Sequence, residues 1–193
     1  SSFKIDGIDT VSHKTIYTLK AERVPLQPVI RWNGQSLEYS GPLTTGDILR
    51  FCLQTIRQEL QDQPIAGIGH RVAHGGDANS QPVLIDERVE QAIEQLADLA
   101  PLHHPAHLLG IQTAREIFGT LPNIAVFDTA FHSTLPKRAQ YYAIDKKTAD
   151  KYHIRRYGFH GTSHHYVALR AAAYLKEDLK NLRIISCHLG NGA

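Results

Sequence analysis

The chain has 193 residues, 42% hydrophobic and 21% charged, with 21 Lys and Arg against 19 Asp and Glu. That length fits one domain, a net charge of +2 gives no field that marks a nucleic-acid partner, and no run reaches the roughly 20 apolar residues that span a bilayer. Two cysteines, Cys52 and Cys187, make no disulfide framework, which points to a reducing, cytoplasmic setting without membrane or nucleic acid.

Up to about residue 40, alternating or β-branched runs at 11–19 and 28–32 are separated by Gly and Asp, which predicts antiparallel strands joined by tight turns. From Thr45, the apolar positions Ile48, Leu49, Cys52, Leu53 and Ile56 recur at helical spacing. They predict a helix capped by Thr44 or Thr45 and ending near Asp62. The short apolar run 65–68 predicts a strand that delivers Gly69-His70-Arg71-Val72-Ala73-His74-Gly75-Gly76 at its end. Two helices are expected over 86–99 and 106–118, kept apart by Pro101 and Pro105, with His103 and His104 at the junction. A second buried strand over 123–127 ends in Asp128-Thr129-Ala130-Phe131-His132. A helix follows the run 155–164 and continues to about Leu175, and a third buried strand over 183–186 leads into the glycine turn 188–192.

Antiparallel strands first, then strands alternating with helices, indicate an α/β layered fold with a mixed sheet. Three strands would deliver Arg71, Asp128 and Gly190 to one sheet edge, where α/β folds place ligands. The chain contains no Met and stops inside a glycine turn, so it reads as an internal piece of a longer protein.

Gly190-Asn191-Gly192 is either an ordinary turn or a phosphate cradle, and no GxxxxGK[ST] loop accompanies it. The 12 histidines are read first as capping or core-edge groups and second as a zinc or iron site, because Gly161 breaks the helix that His160 and His164 would need to share. Ser163 lacks a GxSxG elbow and reads as a residue of a helix N-terminus. Arg71, Asp128, His160 and the glycine turn together suit phosphoryl chemistry, in which a guanidinium fork, a carboxylate and an imidazole position and neutralise oxygens.

Five segments, GHRVAHGG (69–76), APLHHPAHLLGI (100–111), AVFDTAFHSTLP (125–136), RRYGFHGTSHHYV (155–167) and ISCHLGNGA (185–193), together resemble the acetate kinase family, including its propionate kinase relatives. The resemblance implies the ribonuclease-H-like mixed sheet with helices of the sugar kinase, actin and Hsp70 fold group, with a helical insertion. It also implies that residues 1–193 are the first of two domains, shortened at both ends, since Ser1-Ser2-Phe3-Lys4 is similar to the tail of the family's NxGSSSxK motif.

By the same resemblance, the parent transfers a phosphoryl group reversibly between ATP and acetate with Mg²⁺ (or Mn²⁺), giving acetyl phosphate and ADP, and is a homodimer. Propionate as the acceptor, or an inactive nucleotide-binding piece, are the alternatives. Residue by residue, Arg71 would bind the carboxylate or acyl phosphate, and Asp128 would be the catalytic acid that positions the acetate oxygen or the metal's water shell. His160 would stabilise the transferring phosphoryl group, with His103 as a second donor. Lys4 and His188, Leu189, Gly190, Asn191 and Gly192 would contact nucleotide phosphates, and the metal ligands and a second Arg would lie in absent segments. Two positions depart from the family. Ala73 stands where many members have Val, which enlarges the acyl pocket, and the PLHNPxN pattern becomes His103-His104-Pro105-Ala106-His107.

Overall fold

Alternating burial builds the opening sheet. In β2 (Thr15–Glu22), Leu19 and Ala21 are buried while Lys20 between them faces solvent, the period of a half-buried strand. It lies between β1 (Phe3–Ile8) and β3 (Val29–Trp32), and β4 (Gln35–Leu37) completes an antiparallel sheet in the order β1-β2-β3-β4. The β3–β4 turn is Asn33-Gly34, both at positive φ (49° and 86°), the two-residue geometry that matches strand twist. The predicted strand over 11–19 begins later, at Thr15, because Asp9 turns the chain first: its Oδ1 accepts from the amides of Val11 and Ser12.

The structure, a computed structural model, describes residues 2–61, 63–101 and 103–190. The chain divides into two units, Ser1–Ala66 with Leu109–Leu121, and Gly67–Leu108 with Pro122–Ala193. The first holds the antiparallel sheet and α1 (Thr45–Glu59), whose buried stripe is Ile48, Leu49, Cys52, Leu53 and Ile56, as the spacing predicts. Burial pushes the Cys52 thiol up to about 12, so it packs as an inert apolar group. Helix α1 ends at Glu59 with Leu60 as C-cap, short of Asp62, which lies outside the described residues. Arg50 forks onto Glu116 (3.1 and 2.8 Å) and Arg57 Nη1 donates to the Ile117 carbonyl (2.6 Å), tying α1 to the C-terminal half of a later helix, α3 (His104–Phe118).

Thr44 caps α1, its Oγ1 accepting from the Asp47 amide at 3.1 Å. Thr44→Ala is expected to cost about 1 kcal/mol in urea denaturation. An unchanged midpoint would show that this cap does not form in solution.

The second unit contains a three-stranded sheet in the order β5-β7-β6, from β5 (Ile68–Val72), β6 (Val83–Leu84) and β7 (Asn123–Phe127). β5 and β7 are parallel, with Arg71 opposite Val126 and Val72 opposite Phe127, and β6 runs antiparallel to β7. Val72, Ala125 and Phe127 are buried, with Ile93 from α2 (Glu87–Gln95). The single helix expected over 86–99 is instead α2, capped by Asp86, followed by a separate 3₁₀ turn at Ala97–Leu99. Among the described residues, the α-helices that follow β7 are α4 (Lys137–Gln140), α5 (Lys146–Lys151) and α6 (Gly161–Leu175).

Two strand expectations are corrected. β5 starts at Ile68 rather than ending there, so Arg71 lies inside the strand. Residues 183–186 form no ladder among the described residues, and Ile185 is 93% exposed. Two strands rather than three therefore carry the candidate residues. Among the described residues, no helix is long and apolar enough to cross a membrane.

Candidate active site

The parallel register of β5 and β7 sets Arg71 beside Asp128, one residue past β7. The Asp128 amide extends the ladder by donating to the Val72 carbonyl at 2.9 Å. Arg71 Nε lies 3.0 and 3.2 Å from the two carboxylate oxygens, and Nη2 is 2.7 Å from Oδ2. The pair is asymmetric: the Arg71 side chain is 67% exposed and that of Asp128 is 3% exposed. A buried carboxylate thus holds an outward-facing guanidinium, and the bond to Asp128 raises the Arg71 pKa further. Arg71 Nη1 has no hydrogen-bond partner among the described residues, leaving donors for an incoming oxyanion.

The Asp128 carbonyl accepts from the Gly161 amide at 2.9 Å, which brings the start of α6 against the end of β7. A Cβ on Gly161 would lie 2.3 Å from that oxygen and 2.8 Å from Phe131 Cβ, so only glycine allows this approach. His160 precedes it in the left-handed region, φ 53°. Its ring stacks on His188 with centroids 4.2 Å apart. Partial desolvation, and then the neighbouring His188, hold the His160 pKa below the ordinary imidazole value. His188 Nδ1 lies 3.0 Å from Ser163 Oγ, and His164 Nδ1 lies 2.7 Å from Ser186 Oγ. These bonds lay the segment before Gly190 along α6, so Ser163 is a helix residue that orients His188, in agreement with its non-nucleophile reading.

Ala73 is buried, and its amide donates to His107 Nδ1. His103 is near His107, with ring centroids 6.1 Å apart, but no hydrogen bond joins it to Arg71 or Asp128 among the described residues. Lys4 lies on β1 of the other unit, paired with Asp6 at 2.7 Å. Leu189 is 90% exposed and Gly190 is exposed, while Asn191 and Gly192 lie outside the described residues. The glycine turn is therefore seen only at its start.

The sequence reading missed three supporting residues. Thr129 Oγ1 accepts from the Gly75 amide at 3.0 Å, linking the loops that follow β5 and β7. Gly161 is legible in the sequence only as a helix breaker, and His107 only as one of the clustered histidines and a departure from a pattern. Among the described residues, no three of His, Cys, Asp and Glu gather to hold a metal ion.

The Acetokinase family matches residues 33–193. The acetate kinase of Thermotoga maritima is 51% identical over 152 residues, covering 76% of this chain and 38% of that protein. The acetate kinase of Thermotoga petrophila is 43% identical over 202 residues, covering 100% of this chain and 50% of that protein. Among solved structures, an acetate kinase from Porphyromonas gingivalis has a TM-score of 0.87 at 32% identity, covering 100% of this chain and 51% of that one. A propionate kinase from Francisella tularensis has a TM-score of 0.85 at 36% identity, covering 92% and 47%. The chain spans about half the length of the solved relatives and 38–50% of these curated ones. The mixed α/β architecture anticipated from the motifs is the one these kinases share, and the chain belongs to the acetokinase family.

Proposed function

We propose that this chain supplies the acyl-acceptor side of a carboxylate kinase, which moves the terminal phosphoryl group of ATP onto acetate to give acetyl phosphate and ADP, reversibly. The observation that carries this reading is the buried Asp128 holding an outward Arg71 at the shared end of two parallel strands, with Gly161 and His160 at the next helix. The free donors of Arg71 bind the substrate carboxylate. Asp128 fixes that guanidinium and orients the attacking oxygen, and His160, braced by His188, donates to the oxygens of the transferring group. Lys4 and residues 188–192 contact the nucleotide phosphates, and His103 is a weaker second donor toward the transferring group.

Mg²⁺ or Mn²⁺ neutralises phosphate charge when bound. The described residues do not form a site for it, and no step here is routed through the ion. Within its full-length protein the chain is the first of two domains, in a cytoplasmic homodimer, and by itself it is inactive.

Hydroxylamine trapping of acyl phosphate, made by the full-length protein from ATP, Mg²⁺ and either acetate or propionate, tests the reading. No trapped product with either acid would sink it and favour a nucleotide-binding module.

Propionate is the second acceptor, favoured by the buried Ala73 and by the likeness to a propionate kinase. Ala73→Val is expected to lower kcat/KM for propionate relative to acetate by about tenfold, within the roughly 1–3 kcal/mol that one methylene commands in a pocket. A ratio that does not move would remove Ala73 from the acyl pocket.

A further inference from the structure

Ala73 lies one residue beyond the last β5–β7 ladder pair, so its amide has no strand to bond. It donates instead to His107 Nδ1 at 3.4 Å, a long bond to a side chain in the first turn of α3. A ring nitrogen that accepts carries no proton, so the neutral tautomer here has its hydrogen on Nε2. The surroundings keep it so. His104, on the same helix, is wholly buried with Nδ1 fixed 2.8 Å from the Ile93 carbonyl, and His103 is one turn before His107. Of the charged groups at the end of β5 and β7, Arg71 lowers the His107 pKa and Asp128 raises it, and that carboxylate is already engaged by the guanidinium. Burial first, then His104, His103 and Arg71, push the His107 pKa down to about 4.

We infer that His107 is a positioning residue: a neutral imidazole acceptor that anchors the Ala73 amide at the end of β5 and thereby sets acyl-chain selectivity. The selectivity part rests on the carboxylate kinase reading, whereas the anchoring part does not. A protonated ring at this position would present N–H to N–H and release Ala73, so the anchor works only because no cation forms there.

Two replacements separate the acceptor from the bulk. Asn places Oδ1 where His has Nδ1, and Leu fills similar space without an acceptor. In the full-length protein, His107→Leu is expected to speed hydrogen exchange of the 69–76 segment at least tenfold and to shift the propionate-to-acetate ratio of kcat/KM at least threefold. His107→Asn is expected to restore both to within twofold. Exchange that is unchanged in the Leu variant, or an Asn variant as loose as Leu, overturns the anchor. Should the Leu variant not fold, the wild type decides: its acid ratio stays flat from pH 5.5 to 8 if the ring is neutral, and a step near pH 6.5 overturns the proposal. Wild type that makes no acyl phosphate from either acid refutes the kinase reading and the selectivity claim, while the exchange result still decides the anchor.

Discussion

Replacing Asp128 with Ala is expected to cut acyl phosphate formation by the full-length protein about a thousandfold, on the scale of losing a preorganised electrostatic group. Stability should barely change. The Arg71 side chain is 67% exposed, so once released it rehydrates, and a pair screened in this way contributes about 1 kcal/mol at most. The two readouts therefore diverge, as a catalytic role requires and a purely structural one does not. Activity in the variant within tenfold of wild type, by hydroxylamine trapping, would move the chemistry away from this pair. Asp128→Asn is a sharper version, since it keeps the volume at the end of β7 while weakening the fork onto Arg71.

Gly161→Ala should show the opposite balance, losing fold and function together. The added Cβ meets the Asp128 carbonyl at 2.3 Å and Phe131 Cβ at 2.8 Å, one a backbone atom and the other tied directly to the backbone, so neither can swing away. Relief requires α6 to move off β7, which breaks the 2.9 Å bond from the Gly161 amide and carries His160 away from Asp128. Forced overpacking of this kind costs about 2–3 kcal/mol, read as a lower midpoint in urea, and turnover should fall even below the denaturation range. A Gly161→Ala variant with wild-type midpoint and rate would show that the approach of α6 to β7 is looser than the structure has it.

What could be read from the sequence divides along a physical line. β7 was legible to the residue because none of its five positions is exposed, and α1 because its buried positions repeat on one helical face. β5 was placed three residues early, since the run from Ile65 to Ile68 is apolar while the strand itself holds Gly69, His70 and Arg71. The segment at 183–186 has the right residue types but no ladder, because a strand is defined by its neighbour and pattern cannot supply one. β6, with two residues, is too short to show any period. For the proposed site, Arg71, Asp128 and His160 stand out in the sequence as polar residues that follow apolar runs, and the resemblance to the family motifs singles them out. The fork between Arg71 and Asp128 depends on the β5–β7 register, and the anchor from His107 to Ala73 on where α3 starts, so neither follows from spacing along the chain.

A left-handed conformation costs a β-carbon-bearing residue on the order of 1 kcal/mol relative to glycine, and at φ 53° His160 carries that cost immediately before the helix it introduces. Selection for thermal tolerance alone would drift toward glycine or asparagine here, and each such gain would delete the imidazole. Under the role proposed for His160, robustness and turnover pull this position in opposite directions, so an engineer hardening the protein should hold it fixed.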